Sequence, residues 1–122
     1  MERIVEYVSD GKSFVSIDLS GLNSVAGLAA LLEVLNSVFE KYPELSVYLL
    51  INAAKFTFDS EIKSILADSI AQNKKKVKAI AVFGADGAKK LLISSMIKLA
   101  DRTNMRFTFT KEKAVEWLLS LE

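Results

Sequence analysis

The sequence contains no cysteine and no histidine in its 122 residues. Without these two residue types the chain has no thiol nucleophile, no Cys/His zinc site and no Ser-His-Asp triad. It also has no histidine for acid–base catalysis, which removes the side chain that titrates most readily near neutral pH. Few enzyme classes remain, so we expect a non-enzymatic protein that uses no cofactor and no metal ion.

The chain also lacks an excess of charge of one sign, since 16 basic residues face 15 acidic ones. This balance gives no electrostatic reason to expect nucleic acid as a partner. The longest apolar stretch, Val25 to Phe39, contains Glu33 and Asn36 and is shorter than the roughly 20 residues that a membrane span needs. The first residues, Met1 to Glu6, lack the basic start and apolar run of a secretory signal. We therefore expect a cytoplasmic protein with no membrane span.

Proline and glycine are scarce, with one proline and five glycines in the chain. No stretch of linker composition or low complexity divides the sequence. A length of 122 residues lies within the range of about 100–150 residues that is most common for one domain. The sequence therefore predicts a single domain over residues 1–122.

The first part of the chain predicts a β-hairpin followed by a helix. Two β-patterned runs flank Asp10 and Gly11, a pair typical of tight hairpins because both central residues of a type I′ turn take positive φ. The spacing then becomes helical, with Asn23 or Ser24 as the N-cap and Pro43 ending the helix. The apolar positions of this helix are Leu28, Leu31, Leu32, Leu35, Val38 and Phe39.

The rest of the chain alternates strands and helices. Strands are predicted over 45–51, 77–83 and 106–110. Three further helices are predicted: one begins at Asp59 or Ser60, the next ends near Ala100, and the last spans 111–121. Nearly continuous apolar strands are typical of parallel sheets covered on both faces. We therefore predict an α/β fold with a mostly parallel five-stranded sheet, an N-terminal antiparallel strand and four helices.

The helix that ends near Ala100 is more apolar than a helix covering one sheet face needs to be. Ile93, Met96 and Ile97 belong to this surplus. They could pack against a neighbouring helix, form a contact in a homodimer, or line a pocket for an apolar small molecule. The sequence leaves these alternatives open.

The loop before that helix carries Gly84, Asp86 and Gly87. It follows a buried strand, and the carboxyl ends of parallel strands are where α/β sheets bind ligands. Free backbone amides at the start of the helix could hold an anion. The alternative is a structural turn in which Asp86 caps the helix, and turn chemistry alone accounts for both glycines.

Three stretches of the chain carry a family resemblance: Gly11 to Leu22, Asn73 to Ala85, and Phe109 to Leu118, the last containing the pattern Ala-x-x-Trp-Leu. They resemble the STAS-like (SpoIIAA-like) family, which is related to CRAL-TRIO domains. The resemblance implies a (βα)4 superhelix. It also implies a regulatory module that acts through a protein partner, or alternatively one that binds an apolar small molecule or lipid in a CRAL-TRIO-like pocket.

The same resemblance draws attention to Ser60. In STAS antagonists the phosphorylated serine lies in an Asp-Ser-Ser-Gly sequence at the start of the corresponding helix. Asp59 and Ser60 match the first two positions, whereas Glu61 and Ile62 replace the last two. Ser60 is therefore the candidate phosphoacceptor, and the alternative is that Asp59 or Ser60 is only the helix N-cap.

Overall fold

A computed structural model describes residues 3–56, 59–85 and 104–121 of the chain. These residues form five strands and three helices: β1 (Ile4–Ser9), β2 (Lys12–Asp18), α1 (Val25–Glu40), β3 (Val47–Asn52), α2 (Ser60–Gln72), β4 (Val77–Phe83), β5 (Met105–Thr108) and α3 (Lys111–Ser120). The predicted α/β class is confirmed. The third of the four predicted helices, with Ile93, Met96 and Ile97, lies outside the described residues.

The five strands form one sheet in the order β1-β2-β3-β4-β5. β1 is antiparallel to β2, and the other neighbouring pairs are parallel. Ser9 pairs with Lys12, and between them Asp10 and Gly11 have φ values of 52° and 75°. The predicted hairpin is therefore confirmed, and its turn has two residues.

The first face of the sheet packs against α1 and α2. Ser24 caps α1 by accepting a hydrogen bond from the amide of Gly27 at 3.0 Å. The helix then buries one stripe of side chains: Leu28, Leu32, Leu35 and Phe39. These pack with Ile62 and Leu66 of α2 and with alternate residues of the strands: Val15, Ile17, Val47, Leu49, Ile80 and Val82. This layer is the larger part of the hydrophobic core.

The second face of the sheet packs against α3. A smaller cluster contains Phe14, Tyr48, Leu50, Ala79, Ala81, Ala114 and Leu118. The three alanines are fully buried, and their small side chains allow α3 to approach β4 closely. Tyr7 extends the cluster toward β1, because its ring stacks on that of Phe14 with 5.0 Å between centroids. The C-terminal helix therefore covers the face opposite α1 and α2.

Lys12 connects β2 to the end of α3. Its Nζ donates hydrogen bonds to the carbonyl oxygens of Leu118 at 3.2 Å and Leu119 at 2.8 Å, and to that of Leu121. The ammonium group also lies 5.2 Å from the centre of the Tyr48 ring. A cation at a helix C-terminus satisfies carbonyls that have no partner within the helix and complements the negative end of the helix dipole.

Glu6 links β1 to the end of α1. Its carboxylate accepts a hydrogen bond from the Tyr42 hydroxyl at 2.7 Å and one from Lys41 Nζ at 3.0 Å. These two hydrogen bonds hold the pKa of Glu6 below its ordinary value. Desolvation, together with the hydrogen bond to Glu6, raises the pKa of Tyr42 to about 12.

Replacing Lys12 tests the cap on α3. We expect Lys12→Met to lower the free energy of unfolding by about 2 kcal/mol, because the carbonyls lose a charged donor. Lys63→Met is the control, since Lys63 is a half-buried lysine on α2 with no side-chain hydrogen bond in the described residues. Urea-induced unfolding at neutral pH measures both variants. Equal effects would contradict the capping role of Lys12.

The hydrogen bonds of Glu6 with Lys41 and Tyr42 predict a pH-dependent contribution to stability. Folding lowers the pKa of Glu6. The ionised carboxylate therefore adds to the free energy of unfolding at pH values above the pKa of Glu6 in the unfolded chain, and this addition is lost as the pH falls through its pKa in the folded protein. Glu6→Gln should therefore reduce the free energy of unfolding at neutral pH by roughly 0.5–1 kcal/mol, the scale of an exposed ion pair. The difference from the parent should vanish in acid. Glu33→Gln, at an exposed position of α1, is the control, and a pH-independent effect of Glu6→Gln would contradict this assignment.

Candidate functional site

The loops that follow β2, β3 and β4 meet at the carboxyl edge of the sheet. Backbone hydrogen bonds continue past the ends of β2 and β3 and join the loops there to the last residue of the neighbouring strand or to the neighbouring loop. They run from the amides of Leu19, Gly21 and Ala53 to the carbonyls of Asn52, Ala54 and Phe83, at 2.9, 3.2 and 2.9 Å. The three loops therefore form one connected surface, which we call the carboxyl edge.

Polar side chains at the ends of β2 and β3 hold the turns of this edge. Asp18 Oδ1 accepts a hydrogen bond from the amide of Ser20 at 2.8 Å, and Asn52 Oδ1 accepts one from the amide of Ala54 at 3.0 Å. The Arg3 guanidinium donates to the backbone carbonyls of Asp18 at 2.9 Å and Ser20 at 3.0 Å. These side chains satisfy local backbone groups, so their role here is to shape the loops.

Gly84 lies exposed at the carboxyl edge, directly after β4. Its φ is +82°, and a Cβ atom added there would lie 3.0 Å from both the amide nitrogen and the Cβ of Ala54. Only glycine fits this backbone conformation and this close approach without strain. The turn thus accounts for Gly84, while the other two predicted ligand residues, Asp86 and Gly87, lie outside the described residues.

Ser60 is the first residue of α2 and is exposed at the carboxyl edge. The N-cap is Asp59, whose Oδ1 accepts a hydrogen bond from the amide of Ile62 at 2.9 Å. The hydroxyl of Ser60 is therefore not used as the cap. A phosphoryl group here would gain from the positive end of the helix dipole, and Glu61 in the first turn would oppose its charge.

A small enclosed cavity lies between α1, α2 and the first face of the sheet. Its volume is about 40 Å³, and its lining is apolar except at Ser69 and Asn73. Asn73 Nδ2 donates to Asn36 Oδ1 at 2.6 Å and to the carbonyl of Ser69 at 2.9 Å, which ties α1 to α2. Typical ligand pockets measure roughly 300–1,000 Å³. The cavity as it stands is therefore too small for a lipid.

A wider, open groove of about 480 Å³ lies between β5 and α3. The guanidinium of Arg106 stacks over the Trp117 ring at 5.3 Å from its centre. Phe107, Lys113 and Glu116 also line the groove. Trp117, the tryptophan of the Ala-x-x-Trp-Leu pattern, is half-buried beside this groove. No periodic pattern could have revealed the pairing with Arg106, because it depends on how α3 crosses β5.

No family model matches the sequence, and no curated protein matches it significantly. Over residues 3–56, 59–85 and 104–121, no group of three or more acidic side chains is arranged to hold a metal ion. Within the same ranges, no helix is long and apolar enough to cross a membrane.

Two glycine substitutions test the close contact at the carboxyl edge. Gly21 and Gly84 both have positive φ, but a Cβ at Gly21 would meet no atom within 4 Å. In both Gly21→Ala and Gly84→Ala the free energy of unfolding should fall by about 1 kcal/mol or more, because alanine disfavours a positive φ. Gly84→Ala should lose additional stability because of its contact with Ala54. Urea-induced unfolding measures the difference, and equal losses would contradict the close packing of the two loops.

Proposed function

We propose that this chain is a cytoplasmic, non-enzymatic binding module of the STAS-like (SpoIIAA-like) type that regulates a protein partner. The contact surface in this proposal is the carboxyl edge around Ser60. The observation that carries it is the exposed serine at the first turn of α2, next to an aspartate that already serves as the cap. The mixed sheet, with β1 antiparallel and the remaining strands parallel, supports the α/β class on which this proposal rests.

The rigidity of the carboxyl edge supports a binding role. Its loops are joined by backbone hydrogen bonds, and Arg3, Asp18 and Asn52 hold their turns. A surface that is already ordered before contact loses little conformational entropy on binding. Ser60 is exposed at the first turn of α2, where one added charge would alter a contact with a partner.

The chemistry of the edge supports binding more than catalysis. Ser60 is flanked along the chain by two carboxylates, Asp59 and Glu61, and Asp59 is occupied as the helix cap. A serine nucleophile needs an adjacent general base and donors for the developing oxyanion. The described part of the edge supplies no such set around Ser60.

A charge introduced at Ser60 tests this function. We expect Ser60→Asp to weaken binding of a protein partner by roughly tenfold or more, because an unpaired charge would be desolvated in the contact. Ser64→Asp is the matched control, since Ser64 is also exposed on α2, one turn further along. Partners are identified by affinity capture with quantitative mass spectrometry, and binding is then measured by calorimetry with the purified partner.

The expected pattern is a partner that binds the parent and Ser64→Asp equally and Ser60→Asp weakly. Circular dichroism and urea unfolding confirm that all three proteins are folded. Equal binding of Ser60→Asp to a partner that the parent binds would refute the role of Ser60. Failure to isolate any partner that binds the purified parent would refute the proposed function as a whole.

The alternative function is binding of an apolar small molecule, and the apolar lining of the cavity between α1 and α2 favours it. Because that cavity measures about 40 Å³, a ligand would require α1 and α2 to move apart. Native and denaturing mass spectra of protein purified without refolding distinguish the two functions. A mass adduct present only in the native spectrum would support the small-molecule carrier, whereas its absence favours the protein-binding module.

A further inference from the structure

β1 forms one end of the sheet in the described part of the chain. It has six residues, Ile-Val-Glu-Tyr-Val-Ser, of which Glu6 is the one charged residue. It contains neither lysine nor proline, which natural edge strands use to prevent pairing. Val5 and Val8 are 46% and 72% exposed. An edge with these features can accept another strand.

The hydrogen bonds between β1 and β2 determine which residues face outward. The carbonyl of Arg3 accepts a hydrogen bond from the amide of Asp18 at 2.7 Å. Along an antiparallel strand, residues bonded to the neighbour alternate with residues that point their N–H and C=O groups away from it. Ile4, Glu6 and Val8 therefore point these groups outward, and an added strand would pair with them.

A two-fold axis through Glu6 makes this edge complementary to itself. Directly opposite residues of antiparallel strands have side chains on the same face. This register sets Val8 opposite Ile4 of the second copy on one face of the sheet. On the other face it sets Val5 opposite Tyr7 of the second copy, at the end of the Tyr7–Phe14 stack. Both exposed valines thereby gain apolar neighbours.

If the two-fold axis passes through Tyr7 instead of Glu6, the two valines no longer lie opposite apolar residues. Val5 would then lie opposite Ser9 of the second copy, and Val8 opposite its Glu6. The register through Glu6 is therefore the one that buries both valines against apolar side chains.

The same register brings two Glu6 carboxylates together at the axis. Like charges directly opposite each other destabilise a strand pair. Here each carboxylate already accepts hydrogen bonds from Lys41 and Tyr42 of its own chain. Two lysines thus balance two glutamates, and the four charges form a neutral cluster.

We propose that β1 pairs with β1 of a second copy through this two-fold register, to give a homodimer with a continuous sheet. The contact uses none of the residues around Ser60, so it is independent of the proposed regulatory surface. The five paired residues, Ile4 to Val8, span only about 17 Å, which is at the small end of protein interfaces. The dimer should therefore dissociate on dilution.

Sedimentation velocity over a range of micromolar to millimolar concentrations tests the dimer. Val8→Lys and Val34→Lys make the same change at two exposed valines, one on β1 and one on α1. Val8→Lys should raise the dimer dissociation constant roughly tenfold or more, because an edge lysine opposes strand pairing. Val34→Lys should leave it unchanged. A parent that stays monomeric, or a dimer that survives Val8→Lys, would overturn the proposal.

Val8→Pro tests the backbone pairing separately. Proline removes the outward N–H of Val8, which β2 does not use, and edge strands tolerate proline at such positions. The variant should remain folded by circular dichroism but lose the dimer. A folded Val8→Pro variant with an unchanged dissociation constant would overturn the pairing.

A single cysteine tests the register, since the parent has none. The two Cα atoms at position 6 should lie about 5.5 Å apart, within the range of roughly 4.4–6.8 Å that a disulfide requires. Mild oxidation should therefore cross-link Glu6→Cys into a dimer, and Val34→Cys should stay uncross-linked. Equal cross-linking of the two variants would overturn the register through Glu6.

Discussion

Burial of the central strands on both faces is the constraint on which the rest of the structure depends. In β3, the four consecutive residues from Val47 to Leu50 are all buried. Such a strand is stable only if helices cover both sides of the sheet. α1 and α2 cover the first face, and α3 must therefore cross to the second. Lys12 stabilises that arrangement, because it binds the last carbonyls of α3 from the start of β2.

The same constraint concentrates polar groups at the edges of the sheet. At the carboxyl edge, amides beyond the ends of β2 and β3 donate to carbonyls of the neighbouring strand end or loop. Asp18 and Asn52 satisfy further amides within their own turns. The result is a connected set of loops, with Ser60 exposed at the start of α2. At one lateral edge of the sheet, the outward-facing backbone groups of β1 have no partner strand in the described part of the chain, which favours pairing with another strand.

Local patterns in the sequence predicted the elements that depend on local physics. Asp10 and Gly11 predicted the hairpin because few residue pairs accept two positive φ angles, and Ser24 was one of two N-caps considered for α1. The strand predicted over 45–51 is present as β3, but it begins two residues later than predicted, at Val47. Leu45 has a φ of 53° and donates its amide to the carbonyl of Lys75, a tertiary contact that an apolar pattern does not reveal.

The sequence also placed Ser60 correctly at the start of a helix, because the Asp-Ser pair precedes apolar residues at helical spacing. It did not predict the roles of Lys12, Asn73 and Arg3. Each of these side chains bonds to a group far along the chain or on another element. Such contacts depend on the packing of whole elements. The need for glycine at position 84 likewise follows from its distance to Ala54, and no motif encodes that distance.

Amide hydrogen exchange followed by NMR tests most directly whether the carboxyl edge is an ordered binding surface. The amides of Leu19 and Ala53 donate to the last carbonyls of β3 and β4, and the amide of Gly21 donates to the carbonyl of Ala54 in the next loop. They should exchange nearly as slowly as amides within β3, although they lie beyond the strands. Exchange as fast as that of an exposed turn residue such as Lys55 would contradict an edge that is ordered before its partner binds.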